Sequence, residues 1–239
     1  MCIKPSSQPT DVASLRHLFS RLGFEKFASD ALSHFQKQPA CIPLLIALIH
    51  EDLAAAAPGS PLPSSLLLAS QMLHKALRRS PLADCDGVEA QLVPALRAVA
   101  ARVWSPALTA LALSVAVLLI RGAPWPGVLA HLDGDGDAAD REVVLSILTV
   151  VAEEVTSPSS RISAAPASVS GLKQAMRADG GALLRRVHAW CIGETAERRR
   201  VAAGLACCRA WCAAEMILEG EAPLDEALLL VELGARTLG

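Results

Sequence analysis

The chain has 239 residues, a formal charge of −2, 52% hydrophobic residues, 3% aromatic residues and no tyrosine. A near-neutral balance excludes a partner chosen by bulk charge alone, whether nucleic acid or an anionic membrane surface. A core drawn from Ala, Leu and Val favours close-packed helices over a β-sandwich, and the length allows one large domain or two.

The opening residues, MCIKPSSQPTD, have no apolar stretch of signal-peptide length, so residues 1–22 read as a disordered or partly helical lead-in. Beyond it the apolar residues recur at steps of three and four, which predicts about ten helices and no strand. Ile42, Leu45, Ile49 and Leu53 form one stripe, and Leu66, Ala69, Leu73 and Leu77 form the next. Lys75, Arg78 and Arg79 fall on the other side of that second helix, as an amphipathic packing helix requires. Further stripes are Val88, Leu92, Ala95, Val99 and Val103, then Val201, Leu205, Cys208, Cys212 and Met216, then Leu224, Leu228, Val231, Ala235 and Leu238.

Val103 to Ile120 carries no charge. Pro106 leaves about fourteen residues before Arg121, short of the roughly 20 a bilayer needs. A helix buried on most sides, without membrane insertion, accounts for it. Candidate first helices of a pair begin near Phe24, Pro63, Ser105, Ala138 and Glu194, a spacing of about forty residues that matches HEAT and armadillo repeats. The expected fold is all-α: an α-solenoid of about five HEAT-type helical hairpins over residues 23–239, stacked because no pair buries its apolar face alone. The segment TSPSSRISAAPASVSG, Thr156 to Gly171, stretches the last interval and reads as a surface loop.

Sites for chemistry are sparse. Asp133, Asp135 and Asp137 alternate like calcium-loop carboxylates, but Ala138 and Val144 stand where such a loop needs Gly and a bidentate Glu. His188 with Cys191 and Cys208 with Cys212 could each share a helix face, yet neither pair has the spacing of a zinc knuckle. The seven cysteines are odd in number and irregularly spaced, which favours free thiols, mostly as small core residues. Glu153 and Glu154 are adjacent, so a helix turns them about 100° apart rather than pairing them for acid and base work. Arg198, Arg199 and Arg200 read as solvated surface. No catalytic motif and no cofactor site is expected, and the enzyme reading has no support.

Five pieces, in order, carry a family resemblance: LSHFQKQP at Leu32 to Pro39, LLLASQMLHKAL at Leu66 to Leu77, LTALALSVAVLLIRGAPWPGVLAHL at Leu108 to Leu132, LSILTVVAEEVTSPSSRI at Leu145 to Ile162, and ACCRAW at Ala206 to Trp211. Together they resemble the N-terminal part of importin-β nuclear transport receptors, closest to the transportin-SR branch. Ala152 stands where that branch has Pro ahead of the paired glutamates, and Ala40, Cys41 and Ile42 stand where it has an aromatic residue. Both departures weaken the assignment to the branch more than to the superfamily. The resemblance implies a receptor fragment several times shorter than a full family member, moving between cytoplasm and nucleus. Its implied partners are the small GTPase Ran in its GTP form, nuclear pore proteins and cargo proteins, with Ser/Arg-rich splicing factors as the branch's cargo class. Polar positions on second helices, Glu51, Asp52, Glu89, Gln91, Arg97 and His131, are the candidate Ran contacts on the concave side. A generic HEAT scaffold or adaptor without Ran binding is the alternative.

Overall fold

The computed structural model describes residues 9–22, 26–57, 60–81, 85, 87–101, 106–125, 138–156, 164–192 and 198–214. Among the described residues the regular structure is helical and no strand occurs. The helices are α1 (Val12–Arg21), α2 (Lys26–Phe35), α3 (Cys41–Ala55), α4 (Ser64–Leu77), α5 (Val88–Ala100), α6 (Pro106–Arg121), α7 (Ala138–Thr156), α8 (Pro166–Ile192) and α9 (Arg198–Ala213).

The chain divides into two compact units, residues Met1–Ser114 and Val115–Gly239, with the division falling inside α6. In the first unit α3 packs on α4 and α5, and α1 packs on α2, α3 and α4. The stripe positions Ile42, Leu45, Ile49 and Leu53 of α3, and Leu66, Ala69, Leu73 and Leu77 of α4, are all buried. So are Val88, Leu92, Ala95 and Val99 of α5. In the second unit α7 packs on α9, and α8 packs on both.

Helix α1 lies inside the expected lead-in. A capping box starts it: Asp11 accepts from the Ser14 backbone N–H at 2.7 Å, and Ser14 Oγ receives the Asp11 N–H at 3.3 Å. Leu15, Leu18 and Phe19 are then buried against the neighbouring helices. Helix α6 buries Ala107, Leu108, Leu111, Ala112 and the whole run Ser114 to Ile120. Its missing charges therefore follow from burial, and among the described residues no helix is long and apolar enough to cross a membrane.

Two expectations need correction. Pro166 to Gly171 is the first part of α8, not loop. Proline suits the first helical position because its absent N–H would be unbonded there anyway, and the Ser168 and Val169 N–H groups both reach the Ala165 carbonyl, at 2.9 and 3.3 Å. In α9, Val201 and Cys208 of the expected stripe are buried but Cys212 is exposed and Leu205 half-buried, while Gly204, Cys207 and Trp211, with Ala214 just past the helix, also face inward. The stripe Leu224 to Leu238, Val103, Met216 and the Asp133 to Asp137 run lie outside the described residues.

Candidate functional site

Glu51 and Asp52 occupy the last turns of α3, and the helical rotation of about 100° per residue separates them. Glu51 is exposed and Asp52 is buried. The Asp52 carboxylate accepts from Arg16 Nη2 of α1 at 2.7 Å and from Ser65 Oγ of α4. The same Arg16 nitrogen donates to Glu51 Oε2 at 3.4 Å. Hydrogen bonding to Asp52 is the largest effect raising the Arg16 pKa above its ordinary value. A buried carboxylate without such partners would carry a severe desolvation cost, so Asp52 joins α1, α3 and α4 instead of presenting its charge outward. Glu51 is the half of the pair that faces solvent.

The three candidates on α5 do not converge. Glu89 is half-buried in the first turn, where a negative charge suits the helix N-terminus, and Arg97 is half-buried in the last turn, where a positive one suits the C-terminus. Gln91 is exposed, and its two-residue separation from Glu89 puts it on nearly the opposite side of the helix. His131 lies outside the described residues. The residue that sequence reasoning overlooked here is His50, whose Nε2 lies 3.1 Å from the Gln91 carbonyl. A carbonyl only accepts, so Nε2 carries the proton and the bond ties α3 to α5.

The second unit uses indole donors. Trp125 Nε1 donates to Asp179 Oδ2 on α8 at 2.8 Å, and Trp211 Nε1 donates to the Leu148 carbonyl on α7 at 3.1 Å. Beside Trp125 an open cleft of about 450 Å³ is lined mostly by small residues, among them Gly122, Ala123, Ala167, Gly171 and Ala175. Cysteine chemistry is muted where it is described: burial pushes the Cys41 thiol up to about 12. Cys208 is buried while Cys212 is exposed, so that pair does not share an environment. Among the described residues no group of three His, Cys, Asp or Glu side chains could hold a metal ion. What the described surface offers is contact chemistry: a solvent-facing carboxylate at Glu51, an amide at Gln91, and charge fixed at helix ends.

No known family model matches the chain, and no curated protein matches its sequence.

Proposed function

We propose that the chain is a nuclear transport receptor segment of the importin-β type, with Ran in its GTP form as its regulating partner. The observation that carries the reading is positional. Helices begin at Lys26, Ser64, Pro106, Ala138 and Arg198, each within a few residues of a start expected from the roughly forty-residue period. Five sequence pieces resembling the family lie on or beside those helices in the family's order. Packed helices without strands among the described residues also suit a solenoid that binds macromolecules along its length. Ser/Arg-rich splicing factors as cargo, pore proteins as transient partners, and residence in both cytoplasm and nucleus follow from the same resemblance.

Glu51 is the Ran contact best supported, because it is exposed while Asp52 is committed to the core. A partner shifts an equilibrium only by its differential affinity, so recognition of nucleotide state requires contact with the parts of Ran that change. Immobilised chain is expected to retain Ran loaded with a non-hydrolysable GTP analogue better than Ran loaded with GDP, and Glu51→Lys is expected to weaken that retention on the order of tenfold. Equal retention of both forms by a folded sample replaces the transport reading with a generic HEAT scaffold. Asp52 is unsuitable for this test, since its removal disturbs the fold.

A further inference from the structure

An open groove of about 680 Å³ runs between α4 and α6 within the first unit, inside the range of roughly 300–1,000 Å³ typical of ligand clefts. Gln71, His74 and Lys75 form its α4 wall, at positions i, i+3 and i+4 on one ridge. Thr109, Ala110 and Leu113, beside Pro106, form its α6 wall with the same spacing. One wall is therefore rich in hydrogen-bond donors and the other is mainly apolar.

Among the described residues that line the groove, the charged side chain is Lys75. Among the described residues none that lines it is acidic. Lys75 is exposed, and Arg78 and Arg79 follow it at the end of α4. Burial first, then Arg78 and Lys75, hold the His74 pKa below its ordinary value, with the Leu113 carbonyl opposing them. His74 Nδ1 is buried and finds no hydrogen-bond partner among the described residues, an unusual state for a polar atom in a protein wall.

We propose that this groove binds a short acidic peptide segment, its Asp or Glu carboxylate received by Lys75 with Gln71 and Thr109, and an adjacent apolar side chain laid on Ala110 and Leu113. Lysine supplies the charge, the amide and hydroxyl supply neutral donors, and a lining without a competing carboxylate leaves those donors to the ligand. The α6 wall adds contact area for the apolar neighbour. A purely polar or purely apolar ligand satisfies only one wall, so the recognised unit is an alternation of acidic and apolar residues. This site is independent of Glu51 and of the Ran reading.

The probe is a blocked tetrapeptide, acetyl-Glu-Leu-Glu-Leu-amide, titrated into the full chain by nuclear magnetic resonance, with acetyl-Gln-Leu-Gln-Leu-amide as its neutral counterpart. The His74 ring signals, assigned by their loss in His74→Gln, are expected to move with the acidic peptide and to stay still with the neutral one. Lys75→Glu is expected to weaken binding on the order of tenfold, while Lys37→Glu, an exposed charge in the turn between α2 and α3, leaves it unchanged. Circular dichroism of both variants checks that they are folded. Equal binding of the two peptides, a still His74 ring, or equal loss in Lys37→Glu would overturn the proposal.

Discussion

In the first unit α3 packs on α4, and besides Cys41 and Asp52 it buries Ile42, Leu45, Ile46, Leu48, Ile49 and Leu53, a broad aliphatic set with no dominant member. In the second unit α9 packs on α7, and it buries Val201, Gly204, Cys207, Cys208 and Ala210 with one large ring, Trp211. Small residues let two helix backbones approach closely but contribute little area each. On its α9 side the second contact therefore concentrates much of its apolar burial, and an indole hydrogen bond to Leu148, in a single side chain. The first contact spreads its apolar burial over many residues and carries a separate polar tie, Ser65 of α4 to Asp52 of α3, which Arg16 of α1 completes.

The largest expected effect tests concentration against distribution. Trp211→Ala is expected to cost about 4 kcal/mol and Leu45→Ala about 3 kcal/mol, both by loss of fully buried volume. Urea denaturation followed by circular dichroism measures them, and the comparison breaks if the leucine costs as much as the tryptophan. Trp211→Phe is expected to cost about 1–2 kcal/mol, because it removes the donor without stranding a buried polar group of its own.

Next in size is the polar tie. Arg16→Ala leaves the Asp52 carboxylate with Ser65 as its remaining partner, at an expected cost of about 2 kcal/mol. Adding Asp52→Asn to that variant is expected to cost little more, since the charge that needed a partner is gone. Full additivity in this double-mutant cycle would show that the two side chains act independently.

The smallest effects concern two glycines. Gly87 caps α5 at φ +69°, so Gly87→Ala forces a side chain into the left-handed region and is expected to lose about 1 kcal/mol. Gly171 lies within α8, and a Cβ there meets nothing within 4 Å, so Gly171→Ala is expected to gain about 0.5–1 kcal/mol. Equal signs for the two would contradict the helical start at Pro166.

The same contrast between regions governs what could be read from the chain. In α4 and α5 the aliphatic residues stand out against polar neighbours, so their period by itself identifies the inner face, whereas α3 is apolar on most sides and also buries Ile46 and Leu48. In α9 alanine, glycine and cysteine occur all round, so the period has little contrast, and the need to bury Trp211 decides which side turns inward. That is why Cys212 lies outside. Gly, Ser and Pro in Thr156 to Gly171 suggest a loop by composition, but a proline at a first helical position is a start signal that composition alone does not separate from a break. Of the candidate site, Glu51 is legible as an exposed polar residue. Asp52 beside it is not, because its burial depends on Arg16 and Ser65, which lie 36 and 13 residues away in sequence, and no local pattern announces that meeting.

Those separations also set an order of assembly. A chain synthesised from its N-terminus releases Arg16 first, then Asp52, and only later Ser65 with the rest of α4. The opposite charges can thus meet while both are still hydrated, before the helix that covers them has emerged. Solvent is withdrawn from a carboxylate that already has its counter-ion, and the nascent chain never has to bury that charge alone.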